Sequence, residues 1–265
     1  MMLLYLALMM IADCSGKTIL LTGASKGIGA ATAHALGAAG AFVIAHFGSD
    51  RAGAEAATAG LPAERRLLLG ADLADQNEVE RLWHEALAWR GRIDVLVNNA
   101  AVMPFGAGFD APVEAWAAAW EITHRVNVLA PARLMRDAVN HFLAAGEGAI
   151  VTISSWAAQR GVTDPSTIAY GASKAAARAA TQSIARAFAR DGIRAYVVAP
   201  GIVRTRLSET FAERHGGEEK VSAALASGEW VTPEEVARLV AFLASGAAPQ
   251  LSGATLDVNG ASYIR

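Results

Sequence analysis

One cysteine among 265 residues, Cys14, has nothing to pair with, which excludes an internal disulfide and any cysteine-rich metal site. So little thiol suits a reducing compartment, and a cytoplasmic location is expected. Charge is scarce too: 23 basic and 25 acidic side chains leave a net charge of -2. Without a basic surplus to neutralise a phosphate backbone, nucleic acid is not an expected partner. The opening Met1–Ala12 is apolar but short of the ~20 residues a bilayer-spanning helix takes, and it lacks the positively charged start of a signal peptide. No membrane span is expected. Residues 1–14 read as an appended tail on one domain, 15–265. The tail is either an over-extended start, with Met9 or Met10 as initiator, or a segment that touches a membrane or partner. Repeats, low-complexity tracts and linkers are missing. His34, His84 and His124 lie in helical stretches without an acidic or cysteine cluster, so no catalytic metal is expected.

What the chain holds is apolar bulk: 53% of its residues are hydrophobic, enough for the large core of an α/β domain. Lys17–Thr22 is a β-prone run that stops at Gly23-Ala-Ser-Lys-Gly27-Ile-Gly29 and passes directly into the helical Ala30–Ala39. Strand, glycine loop and helix in that order bind phosphate. Glycine lets the backbone approach a pyrophosphate, and free N–H groups at the helix start attract the anion. A second strand, Ala41–Ala45, follows as the motif requires. Alternation continues with Arg66–Gly70, a helix over Asn77–Trp89, Ile93–Asn98, a helical segment through Glu121–Leu143, Ala149–Ser154, the helix that carries Tyr170, Ile193–Ala199 and a closing strand at Ser252–Val258. Such crossovers predict a parallel sheet with helices on both faces and ligands at the carboxyl ends of its strands. Ile202–Trp230 shows no strong period and is expected to be an irregular, mobile cover over the ligand.

Tyr170 and Lys174 open an alanine-rich run that reaches Arg190, and their spacing sets them on one helical face. A free phenol titrates near ~10, and a cation within about 4–6 Å favours the phenolate, which brings tyrosine towards acid–base work. Ser154 and Ser155, at the end of the preceding strand, offer hydroxyls to a substrate carbonyl.

Thr22-Gly-Ala-Ser-Lys-Gly-Ile-Gly29, Asn98-Asn-Ala-Ala101, Asn127, Ser155, Tyr170-Gly-Ala-Ser-Lys174 and Pro200-Gly201 occur in the order and approximate spacing of the short-chain dehydrogenase/reductase family. From Gly16 onward the chain resembles that family's short, single-domain branch. The resemblance implies a Rossmann-type doubly wound parallel sheet of about seven strands with helices on both faces. It also implies nicotinamide-dependent oxidoreduction in which Tyr170 is the general acid/base, and Lys174 lowers its pKa and holds the nicotinamide ribose. Ser155 would orient the substrate and Asn127 would support a water-linked proton relay behind Lys174. Gly23, Ser25, Lys26, Gly27, Ile28 and Gly29 would belong to the cofactor site. Asp72 and Leu73 would contact the adenine, Asn98 and Ala100 would lie along the cofactor, and Pro200 and Val203 would border the nicotinamide. Dimers or tetramers are implied as well. Two departures stand out. Ala101 replaces the family's glycine, and Ser155 lies further from Tyr170 than is usual, so the Trp156–Ala169 loop must bulge. The strand count still favours Ser155 over Ser154.

His46 falls where an NAD-specific site carries an acid for the ribose 2′-hydroxyl, so no carboxylate there repels a 2′-phosphate, and Lys26 adds a positive charge. Asp50 is the counterweight, because a rearranged loop turns its carboxylate back to the ribose. The expectation is an NADP(H)-preferring oxidoreductase, with NAD(H) as the alternative, acting on a small carbonyl or alcohol bounded by Met103, Phe105, Trp156, Val162, Leu207 and Phe211. A catalytically silent nucleotide-sensing regulator and a scaffold are the competing readings; a silent regulator is expected to lack Tyr170 or Lys174, and this chain has both.

Overall fold

Short apolar runs set between helices leave little choice but a buried parallel sheet, and the computed structural model, which describes residues 12–265, contains one. The strands are β1 (Thr18–Leu21), β2 (Phe42–Phe47), β3 (Arg66–Gly70), β4 (Val95–Asn98), β5 (Gly148–Ile153), β6 (Ile193–Pro200) and β7 (Thr255–Val258). All seven are parallel, in the order β3-β2-β1-β4-β5-β6-β7, which is the expected doubly wound arrangement. Chain order reverses between β1 and β4, so a crevice opens at their carboxyl ends.

Alternate side chains of each strand face opposite layers, and here both layers are apolar. Ile19, Leu21, Val43, Val97 and Val151 pack into one core with helix α1 (Gly27–Ala38) and α10 (Pro233–Ser245). Leu20, Ile44, Leu96 and Ile150 pack into the other with α3 (Gln76–Arg90) and α5 (Ala130–Ala145). A fully buried side chain of this kind contributes about 1.5–3 kcal/mol relative to exposure. Of the tail foreseen at residues 1–14, residues 1–11 lie outside the described residues. Ala12 packs on the core and Cys14 is fully buried, its N–H donating to Ala39 O at 2.7 Å, so the packed fold begins before residue 15. Burial pushes the Cys14 thiol up to about 11, which keeps it protonated and inert.

Three segments differ from the sequence reading. A short helix, α2 (Arg51–Ala57), follows β2, capped by the Asp50 carboxylate. The helix foreseen over Glu121–Leu143 starts earlier, as α4 (Val113–His124), and runs through a π-helical stretch, Arg125–Leu129, into α5. Pro131 has no N–H for the carbonyl of Asn127, four residues back, and the backbone widens there. The cover expected to be irregular is helical: α8 (Arg206–Arg214) and α9 (Glu218–Ala223) enclose a small core of Ala212, Val221 and Trp230. Helices of 9 and 6 residues are too short for apolar periodicity to stand out in sequence.

At the start of α10, Thr232 Oγ1 accepts from Glu235 N while the Glu235 carboxylate accepts from Thr232 N, a complete capping box. Thr232→Ala is expected to cost about 1 kcal/mol, within the usual 0.5–2, read as a lower urea midpoint at constant slope.

Candidate active site

The glycine loop after β1 is shaped by how close other backbone comes. Gly23 has φ +69°, and a Cβ there would lie 2.9 Å from Ala100 Cα; a Cβ on Gly29 would collide with Gly23 O. Thr22 and Asn99 hold this approach. Asn99 Nδ2 donates to Thr22 O at 2.8 Å and to Gly23 O at 3.0 Å, while Thr22 Oγ1 accepts from the N–H groups of Asn99 and Ala100. Ala101, in the glycine's place, keeps an ordinary negative φ; Ala261 is the one non-glycine with positive φ among the described residues. Helix α1 begins without a capping side chain, so its first N–H groups remain for an anion, and the side-chain-free loop gives a pyrophosphate room to approach. A dinucleotide fits this cradle.

The loop forms one end of a cleft of about 360 Å³. It brings together Gly23, Ser25, Lys26, Gly27, Ile28, Gly29, Ala100, Ser155, Tyr170, Lys174, Pro200 and Val203, all foreseen from sequence. His46, Asp72, Leu73, Asn98 and Asn127 are not in the lining, each for a structural reason. His46 is buried: its Nδ1 accepts from Gly23 N at 3.1 Å and its Nε2 meets Ala71 O at 3.0 Å, so it pins the glycine loop to the end of β3 instead of facing a ribose. Burial lowers its pKa, which matches the neutral tautomer those two contacts need. Asp72 turns its carboxylate to Ala74 N at 2.9 Å, and Leu73 is part of the core. Asn98 is buried with neither amide atom hydrogen-bonded among the described residues.

Asn127 sits in the π-helical stretch. Its Oδ1 accepts from Val102 N and its Nδ2 donates to Val102 O, both at 2.8 Å, and Nδ2 also donates to Ser173 Oγ at 3.0 Å. Ser173 Oγ in turn donates to Tyr170 O at 2.7 Å. Asn127 therefore clamps the helix that carries Tyr170, α7 (Ile168–Ala187), to the segment after β4, and none of its side-chain hydrogen bonds goes to Lys174.

Tyr170 and Lys174 project from the first turns of α7 as their spacing required. Lys174 is buried, its Nζ donating to Ile153 O at 2.7 Å and standing 5.7 Å from the centre of the Tyr170 ring. Burial brings the ammonium down to about 8. The expected depression of the Tyr170 pKa is not what this arrangement gives. Burial pushes the phenol up to about 12, against a smaller opposing effect of the hydrogen bond from Ser155, because the ammonium is turned to a carbonyl and not to the phenol oxygen. At neutral pH Tyr170 therefore holds its proton.

Ser154 and Ser155 have separate tasks. Ser154 is buried and its hydroxyl donates to Lys174 O at 2.9 Å. Ser155 Oγ accepts from Ala157 N at 3.1 Å and lies beside Tyr170 in the cleft. The extra length before Tyr170 is taken up by a helical turn, α6 (Ala157–Arg160), a bend at Gly161 and a 3₁₀ turn, Pro165–Thr167. Beyond Ser155 and Tyr170 a second cavity of about 480 Å³ opens, lined by Met103, Trp156, Val162, Leu207 and Phe211 as foreseen. Phe105 is elsewhere, under the Arg214 guanidinium. Gly48, Ser49, Asn99 and Thr205 line the cleft without having been singled out in sequence. Thr205 carried a legible signal, since it caps α8 through Ser208 N.

The glycine loop thus shares one cleft with the Tyr170, Lys174 and Ser155 side chains. The family model described as Enoyl-(Acyl carrier protein) reductase matches residues 23–261. The cis-4-hydroxycyclohexanecarboxylate dehydrogenase of Sinomonas cyclohexanicum is 37% identical, covering 92% of this chain and 95% of its own. The L-rhamnose 1-dehydrogenase (NAD(P)(+)) of Sphingomonas sp. (strain SKA58) is 32% identical over 94% and 97% of the two chains. Among solved structures, the 3-oxoacyl (acyl-carrier-protein) reductase of Agrobacterium tumefaciens C58 with NADP bound matches with a TM-score of 0.84 and 30% identity, covering 95% of this chain and 96% of that one. The chain belongs to the short-chain dehydrogenase/reductase family of nicotinamide-dependent oxidoreductases.

Replacing the two serines separates their tasks. Ser155→Ala is expected to cut kcat/KM by ~10²-fold or more, as loss of a hydrogen bond at the reacting centre does, whereas Ser154→Ala should cost mainly stability. Steady-state rates beside a urea titration of each variant check this; a larger rate loss in Ser154→Ala would reverse the assignment.

Proposed function

We propose that the chain moves a hydride between NADP(H), in preference to NAD(H), and a carbonyl or alcohol, with Ser155, Tyr170 and Lys174 at the reacting centre. The observation that carries this is the placement of all three in one cleft with the glycine loop. A bound nicotinamide supplies or accepts the hydride. Ser155 holds the substrate oxygen, and Tyr170, protonated at neutral pH, donates to that oxygen as a carbonyl is reduced and takes the proton back when an alcohol is oxidised. Lys174 holds the nicotinamide ribose, and its charge compensates the phenolate as Tyr170 gives up its proton. Asn127 acts by position, keeping α7 against the segment after β4.

Support for NADP(H) comes from the end of β2. His46 is neutral and turned inward, the cleft wall there is Gly48, Ser49 and Asp50, and the Asp50 carboxylate accepts from Gly53 N in the α2 cap at 2.8 Å. Lys26 is exposed on the loop beside them. The Agrobacterium relative was solved with NADP bound, and the rhamnose dehydrogenase is named for NAD(P)(+), which covers both cofactors.

We also propose a dimer or tetramer in the cytoplasm. Helix α4 is apolar yet exposed along most of its length, with Val113, Trp116 and Ile122 open to solvent, a surface suited to a second copy. Among the described residues, no helix is long and apolar enough to cross a membrane.

Tyr170→Phe is expected to lower kcat by ~10²–10⁴-fold while NADP(H) binding, followed by fluorescence, stays within about twofold. A variant with near wild-type turnover would end the assignment. Lys26→Ala is expected to weaken NADP(H) by ~1–3 kcal/mol and NAD(H) far less, because a charge-assisted hydrogen bond to the 2′-phosphate is lost. Kinetics with both cofactors decide this, and a preference for NAD(H) that Lys26→Ala leaves untouched would overturn it.

A further inference from the structure

The cavity beyond Tyr170 has an uneven distribution of charge. Its inner wall is apolar, built from Met103, Trp156 and Phe211 among others, while four ionisable side chains besides Tyr170 line it: Arg160, Asp164, His215 and Lys220. Two of the four answer each other. Asp164 accepts from Ser166 N at 2.8 Å and lies 3.2 Å from His215 Nε2. His215 Nδ1 meets Phe211 O at 2.7 Å, and its ring stacks on Phe211 at 4.0 Å. Oxygen atoms thus stand at both ring nitrogens of His215, and the Asp164 carboxylate is engaged by His215 and Ser166 N.

Arg160 and Lys220 are left over. Neither has a carboxylate within 4 Å among the described residues. They come from separate segments, α6 and α9, yet line the same cavity. Arg160 is also held in place, its guanidinium lying 4.0 Å over the Trp156 ring, which itself forms part of the wall. Both cations are exposed at the rim, whereas at the reacting end Ser155 is buried and Tyr170 half-buried. An apolar body with an anion at one end fits this order: the body displaces water from the wall, and the anion meets the cations without being fully dehydrated.

We propose that the substrate is a carboxylate-bearing alcohol or ketone with an apolar body, its carboxylate held by Arg160 and Lys220 while the reacting oxygen faces Ser155 and Tyr170. This rests on the oxidoreductase reading and adds to it the polarity and orientation of the substrate. The two rim contacts are exposed ion pairs, so together they favour the anion by roughly tenfold.

Binding tests this without turnover. The full chain with saturating NADP⁺ is titrated calorimetrically with cyclohexanecarboxylate, cyclohexanecarboxamide and cyclohexyl phosphate. The carboxylate is expected to bind roughly tenfold more tightly than the amide, and Arg160→Gln and Lys220→Gln should each bring it towards the amide. Equal affinities, no binding of either ring, tighter binding of the phosphate, or a preference that survives both substitutions would overturn the proposal. Oxidation of hydroxycyclohexanecarboxylates with NADP⁺ is measured in parallel. If it fails while the carboxylate preference and its loss in the variants are seen, the oxidoreductase reading falls and the anion-binding rim stands.

Discussion

The buried Lys174 ammonium is the constraint on which the geometry of the site depends. A cation withdrawn from water must find a partner, and Lys174 finds the Ile153 carbonyl at the end of β5, while Ser154 next along donates to the Lys174 carbonyl. These two hydrogen bonds, running in opposite directions, stitch the first turns of α7 to the strand end that carries Ser155. Tyr170, one helical turn before Lys174, is thereby set beside Ser155. The same burial that makes the partner necessary lowers the Lys174 pKa to about 8, which places loss of its charge just above neutrality.

A second stitch holds the other side of α7. Asn127 bridges the Val102 backbone to Ser173, and Ser173 continues to the Tyr170 carbonyl. Asn127 occupies a π-helical stretch where Pro131 denies it the usual helical partner, so an irregularity of backbone coincides with a side chain that joins two segments. On the far side of the crevice, Asn99 and Thr22 bring the glycine loop against the end of β4. The glycine loop and Tyr170 are thus both anchored to strands of one sheet, which is how groups distant in sequence keep a shared geometry.

Much of this was legible beforehand. Strand, glycine loop and helix followed one another without interruption, and a spacing of four residues sufficed to set Tyr170 and Lys174 on one face. The strand count favoured Ser155 over Ser154; the structure turns the Ser154 hydroxyl to Lys174 O and sets Ser155 beside Tyr170 in both cavities. The regions misjudged were those with little local pattern. The α8–α9 cover is helical because a small core around Trp230 supports it, and neither helix is long enough to reveal itself by periodicity. His46 was read as facing a ribose because it ends a strand; its direction depends on a partner, Ala71 O, from the neighbouring strand end.

By itself, then, the sequence determined the sheet order's general type, the phosphate loop and the Tyr–Lys helix, since each depends on neighbours within a few residues or on apolar periods that backbone geometry imposes. Tertiary structure alone decided the ionisation and aim of the functional groups. Whether Tyr170 holds its proton, which way Lys174 turns, what His46 touches and how Arg160 comes to share a cavity with Lys220 all follow from burial and from contacts between distant segments. Desolvation and hydrogen-bond partners act through space, and a linear pattern carries no distance between residues such as Arg160 and Lys220 until the chain is folded.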